Sequence, residues 1–210
     1  MKGFWIACAC LVSLSTSAQL NQKGTIHGSF GGAIGAYNHY ITLTNLNNGF
    51  SESTHDTIAP VYWTLEAEYG LLDWVSTGIA YRRGKFLEFE DDESNTFNQI
   101  DWSTHFYFLN KDKFSFYGNM QLGYNFWKFQ AGDSLVTTLN FTGGHFALGV
   151  GGKWIFTKNV GIFFDYQWDK YGMNLVEYDA PGTTYNPLTD IAWKSDARGT
   201  TMRLGISAKF

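Results

Sequence analysis

Apolar and polar side chains alternate singly along most of this chain, the period of strands with one apolar and one polar face. No helix-period stripe of any length interrupts them. Strands are predicted at 25–37, 60–70, 74–83, 98–109, 114–127, 144–156, 161–171 and from 200 to the end. In the second, Val61, Trp63, Leu65, Ala67 and Tyr69 oppose Thr64, Glu66 and Glu68. In the fourth, Ile100, Trp102, Phe106 and Phe108 oppose Asp101, Ser103 and His105. The sixth and seventh set Phe146, Leu148, Val150, Ile162, Phe164 and Trp168 against His145, Lys153, Asp165, Gln167 and Asp169. The last sets Met202, Leu204, Ile206, Ala208 and Phe210 against Thr201, Arg203, Gly205, Ser207 and Lys209.

Alternation alone does not separate a soluble sandwich from a membrane barrel. The connections do. Short ones fall at about 70–73, 110–113 and 157–160, and long ones at about 38–59, 84–97, 128–143 and 172–197. Strict sorting of loop lengths by end is the habit of even-stranded outer-membrane barrels, with short periplasmic turns and long outer loops. Large rings near strand ends on the apolar faces, Trp63, Tyr69, Tyr81, Trp102, Trp154 and Trp168, suit the aromatic girdles of a bilayer. The opposite faces carry ionisable groups that no sandwich core would accept. The expected fold is therefore all-β, a transmembrane antiparallel up-and-down β-barrel of eight strands.

Composition agrees with a lipid-embedded chain. Aromatics make up 18% and charged residues only 16% of 210 residues, against about 25% charged in ordinary soluble domains. A net charge of -4 offers no basic surface to nucleic acid. Lys2, the apolar run 4–14 and the small residues Thr16-Ser17-Ala18 have the layout of a cleaved secretory signal peptide, 1–18, leaving 19–210 as the barrel domain. Both cysteines, Cys8 and Cys10, lie within that leader. The barrel itself is then expected to have no disulfide.

The closing strand, Thr-Thr-Met-Arg-Leu-Gly-Ile-Ser-Ala-Lys-Phe, ends on Phe210 with Met202, Leu204 and Ile206 on the same face. With the leader, strand count and loop sorting, it resembles the small eight-stranded OmpA/OmpX-like outer-membrane β-barrel domain family over essentially all of 19–210. That resemblance implies the outer membrane of a Gram-negative bacterium. It implies that Met202, Leu204, Ile206 and Phe210 form the signal read by the barrel-assembly machinery. Its members range from anchors to adhesins, small channels and lipid-modifying enzymes.

An eight-stranded barrel encloses little more than its own side chains. The polar faces place Glu66, Glu68, Arg82, Asp101, His105, Lys153, Asp165, Arg203 and Lys209 inside. The strand order suggests the pairs Arg82–Asp101 and Lys153–Asp165, which would block free passage of water. The acidic run Glu88, Glu90, Asp91, Asp92 and Glu93 lacks the D-x-D-x-D-G spacing of a calcium loop and reads as a solvated tip. His27 and Ser29, and His105 and Ser103, share faces, while His39 and His55 fall in a predicted loop. No G-x-S-x-G element is present, so these histidines read as interior hydrogen-bonding groups. No cofactor is expected.

The expected role is non-enzymatic, structural or interactive. Outer-membrane lipid and lipopolysaccharide are the expected partners, with an extracellular partner reached through the loop aromatics Tyr37, Tyr40, Phe50, Phe86, Phe89, Tyr178 and Tyr185. A narrow pore for small solutes and a lipid-modifying enzyme are the alternatives.

Overall fold

Nine strands, most of them alternating inward and outward side chains, make up the computed structural model, which describes residues 19–87, 94–131, 137–179 and 191–210. These are β1 (Ile26–Asn45), β2 (Ser51–Ile58), β3 (Pro60–Leu72), β4 (Val75–Phe86), β5 (Ser94–Asn110), β6 (Phe114–Ala131), β7 (Thr137–Ile155), β8 (Val160–Asp179) and β9 (Ile191–Lys209). The leader at 1–18, the acidic run at 88–93 and Tyr185 lie outside the described residues.

From β3 onward each strand pairs antiparallel with the next, and β9 returns to β1. β1 divides its free edge between two partners: Ile26 to Ile34 face β3, and Tyr37 to Thr44 face β2. β2 and β3 are therefore one wall strand, broken at Ala59–Pro60, where proline has no N–H to give to a ladder. Eight wall positions close the ring. Closure leaves no free backbone edge in hydrocarbon, where an unpaired N–H or C=O has no water to bond.

The surface is inverted relative to a soluble protein. Met202, Leu204, Ile206 and Phe210 are 52–74% exposed, whereas Arg82 and Arg203 are fully buried. Similar outward rows run along every wall strand, among them Ile26, Phe30 and Ile34 on β1 and Ile100, Trp102 and Phe106 on β5. Such a belt is stable only against lipid.

The strands overrun the predicted segments by one or two residues at some short-turn ends and by far more at the long-loop ends. β1 and β8 have 20 residues each, about twice the 9–11 that a tilted strand needs to cross a bilayer. The predicted loop 38–59 is mostly strand: β1 runs on to Asn45 and returns as β2. Polar cross-strand pairs replace the apolar belt there, Thr42 with Ser53 at 2.9 Å and Thr44 with Ser51 at 3.2 Å. Above the membrane the outer face meets water, so the apolar–polar alternation that marks a strand disappears although the strand does not. Likewise 128–143 and 172–197 shrink, with β6 reaching Ala131, β7 starting at Thr137, β8 reaching Asp179 and β9 starting at Ile191.

Ile206 sits midway along the outward row of β9. Replacing it by arginine is expected to cost about 2–4 kcal/mol, while Thr44→Arg on the projecting wall costs about 0–1 kcal/mol. Urea unfolding of the protein in lipid vesicles, followed by tryptophan fluorescence, reads both.

Candidate functional site

The lumen is filled in tiers. Strand parity sends Thr64, Glu66 and Glu68 of β3, Arg82 of β4, Asp101, Ser103 and His105 of β5, and Asn119 and Gln121 of β6 inward. His145 and Lys153 of β7, Asp165, Gln167 and Asp169 of β8, and Thr201 and Arg203 of β9 join them. All are under 4% or about 4% exposed. Among the described residues, five buried carboxylates (Glu66, Glu68, Asp101, Asp165, Asp169) meet three permanent cations (Arg82, Lys153, Arg203), with His105 and His145 interleaved.

In the lower tier Glu68 is the hub. Its carboxylate takes Lys153 Nζ at 2.5 Å, Ser76 Oγ at 2.6 Å and His105 Nδ1 at 2.8 Å. Arg203 lies 2.6 Å from Asp165 and 3.5 Å from Glu66, and Tyr117 donates to Asp165 at 2.8 Å. The ring of Tyr117 stacks on His105 at 4.4 Å. Gly151 makes this possible: a Cβ there would fall 2.7 Å from the Tyr117 ring and onto the Asp165 carboxylate. Gly31 does the same for Phe163, whose ring a Cβ would approach to 2.8 Å and over which the Arg203 guanidinium lies. By contrast Gly32 faces open space.

The suggested pair Lys153–Asp165 does not form. Lys153 registers with Phe163 and Asp165 with Gly151, so the two are offset along the β7–β8 ladder. Asp165 instead sits directly across from Arg203. Lys153 reaches across the lumen to β3.

Arg82 organises the upper tier. It lies 3.3 Å from Asp101 and 3.7 Å from Asp169, and it donates to Gln167 at 3.1 Å and to Gln121. His145 bridges the same two carboxylates, Nδ1 to Asp101 at 2.8 Å and Nε2 to Asp169 at 3.0 Å.

Both ends are shut. Toward the outer end, Tyr37, Tyr62, Phe86, Phe97, Trp127, Phe141, Tyr171, Met173 and Leu175 form a buried apolar cluster. Trp127 lies 5.2 Å from both Phe86 and Phe141, while Tyr171 packs on His145 at 4.5 Å. At the opposite end the segment 19–25 crosses the mouth. Asn21 Nδ2 donates to Leu72 O at 2.8 Å, Leu20 N to Lys111 O at 3.1 Å, and Asn110 Nδ2 to Asn21 O at 2.6 Å. The β5–β6 turn lies almost opposite β1 in the ring, so this strap spans the opening.

Several sequence assignments change accordingly. Lys209 is only half-buried, at the mouth, where its Nζ holds Gln19 O at 2.9 Å. Tyr37 and Phe86, assigned to outer loops, are strand residues of the inner cluster. His39 is no loop residue but a buried one, 2.7 Å from Ser195, while His55 lies exposed on β2 against Tyr40. Tyr178 packs against the cluster, and Tyr40 and Phe50 are exposed. His145 and Asp169 were absent from the expected network although their parity matched it. So did that of Trp127 with Asn125 and Tyr171 with Asp169: rings sharing a polar face were the signal for the inner cap.

Glu66, Glu68 and His105 bring ligand atoms within 4.8 Å of one another, a spacing a metal would accept. Lys153 and Arg203 already bring positive charge to those carboxylates, leaving little reason for a metal cation there.

Arg82→Met strands Asp101 and Asp169 in the lumen and is expected to destabilise the barrel by about 3–5 kcal/mol. Adding Asp101→Asn should recover part of that loss. Chemical unfolding of both variants against the parent checks the order.

No family profile and no curated protein matches the chain. Solved structures do. Neisserial surface protein A aligns with 85% of this chain and 97% of its own, at 14% identity and TM-score 0.51. The outer membrane protein OprG from Pseudomonas aeruginosa aligns with 90% of this chain and 97% of its own, at 10% identity and TM-score 0.63. At such identities the likeness is one of fold. Closed ring, lipid-facing belt and structural neighbours agree: the chain is an eight-stranded outer-membrane β-barrel of the OmpA/OmpX-like fold.

Proposed function

We propose that this barrel is a closed, non-enzymatic outer-membrane protein that anchors a projecting wall and offers it to an extracellular partner. The observation that carries this reading is the Arg82 guanidinium. From β4 it reaches Asp101 on β5, Gln121 on β6, and Gln167 and Asp169 on β8, tying four strands together across the lumen. The aromatic cap and the strap support the same conclusion at either end. Water and ions crossing here would have to break charge-assisted bonds in a closely filled interior.

The projecting wall gives the partner its surface. The turn between β1 and β2 exposes Leu46 and Phe50, at 56% and 67%, well beyond the apolar belt. Lipopolysaccharide surrounds the wall in this reading, and the barrel-assembly machinery acts on the closing strand through Met202, Leu204, Ile206 and Phe210 during insertion.

The enzyme alternative has one arrangement in its favour: Ser103 Oγ lies 3.4 Å from His105 Nε2, whose other nitrogen faces Glu68. A hydroxyl–imidazole–carboxylate series serves acyl transfer only when a substrate carbonyl reaches the hydroxyl. Ser103 is fully buried and His105 nearly so, beneath the aromatic cap. His105→Gln and His145→Gln are therefore expected to leave the host's lipid profile unchanged by mass spectrometry.

Planar-bilayer recording of the folded protein tests the closed lumen. The expected trace is silent. A stable conductance that scales with salt concentration would make a narrow pore the better reading.

A further inference from the structure

Lys170 on β8 and Arg198 on β9 are direct cross-strand partners, and both point outward and are exposed. Like charges placed opposite one another on a sheet repel, and neither has a carboxylate partner among the described residues. Asp196, the acidic residue two positions before Arg198, is taken by Lys194 at 2.8 Å. Asp169, beside Lys170 in sequence, points into the lumen and is held by Arg82 and His145.

The depth of the pair is set by the rows beneath it. On β8, Val160, Ile162, Phe164, Tyr166 and Trp168 face outward, and Lys170 is the next outward residue. On β9, Phe210, Ile206, Leu204 and Met202 lead to Thr200 and then Arg198. Residues 160–168 have the length of about 9–11 that crosses hydrocarbon. The short turns and the 19–25 strap mark the periplasmic end, so the pair stands at the outer leaflet's headgroups. Outward rows on two other strands also pass from an aromatic to a basic residue, Tyr81 to Arg83 on β4 and Phe126 to Lys128 on β6.

We propose that Lys170 and Arg198 form a clamp for a phosphate group of an outer-leaflet glycolipid, the phosphorylated headgroup of lipopolysaccharide. Cβ atoms of directly opposed strand residues lie about 4.5–5.5 Å apart, so both heads reach one tetrahedral anion. Arginine supplies a planar fork for two oxygens, and lysine a point charge for a third. The anion removes the repulsion that the pair suffers alone. Its acyl chains run down the outer half of that row, beside Trp168, Tyr166 and Phe164. This clamp rests on the outer-membrane reading but not on the closed lumen, which conductance tests separately.

The test is native mass spectrometry of the full folded barrel in detergent, with folding checked by heat-modifiable mobility. Three probes are compared: a diphosphorylated lipid A, the same glycolipid without phosphates, and inorganic phosphate. Expected is retention of the diphosphorylated lipid alone, weakened about tenfold or more in the double variant K170Q/R198Q. K170R should keep it. Equal retention by the double variant, or equal retention of the phosphate-free lipid, overturns the clamp. Displacement by millimolar inorganic phosphate overturns the lipid as its source in favour of a free anion. A control variant, K23Q at the periplasmic end, should bind as the parent does.

Discussion

Hydrocarbon supplies neither hydrogen bonds nor counterions, and every other feature of this protein answers that constraint. The backbone answers it by closing the ring, β1 against β9, so that each ladder has a partner. The side chains answer it by turning inside out. Isoleucine, leucine and phenylalanine face the solvent that would repel charge, and among the described residues five carboxylates, three permanent cations and four histidines (His27, His39, His105 and His145) are buried inside. Because the lumen of eight strands is narrow, those charges satisfy one another directly. Glu68 meets Lys153 and His105, and Asp165 meets Arg203. The filling of the lumen thus follows from the electrostatics. A barrel this small with an unpaired interior charge would pay for it in stability.

Glycine placement shows how finely the interior is fitted. Gly151 leaves space for the Tyr117 ring, which stacks on His105 and donates to Asp165. Gly31 leaves space for Phe163 beneath Arg203. These positions lie on the inward rows, where the neighbour is large. Gly32, on the outward row of the same strand, has nothing near it. Small residues along β1 therefore serve different ends on its two faces.

The fold was legible wherever lipid lay on one side of the wall and the polar lumen on the other. There, Val61 to Tyr69 or Met202 to Phe210 alternate because the two environments differ sharply. Beyond the membrane the contrast fades, and the strands around Thr42, Thr44, Ser51 and Ser53 read as loop. Ion-pair partners were less legible than the charges themselves. Parity places Lys153 and Asp165 inside, but only ladder register shows that they miss each other and that Lys153 crosses to β3. The mouth strap left no periodic signal at all, since its bonds run through main-chain groups and Asn21 and Asn110.

That strap has a bearing on how the protein tolerates alteration. It fastens the β3–β4 turn, the β5–β6 turn and Lys209 of the closing strand to one short stretch of chain. Lys209 reaches Gln19 only once β9 lies alongside β1, so the fastening completes after the ring does. Peptides grafted or fused at this end must thread past a filled opening and compete with its bonds. At the other pole the turn between β1 and β2 carries no such duty. For display of a foreign epitope on a cell surface, the hairpin tip at 46–50 is the natural graft point, and the strapped pole is the one to leave untouched.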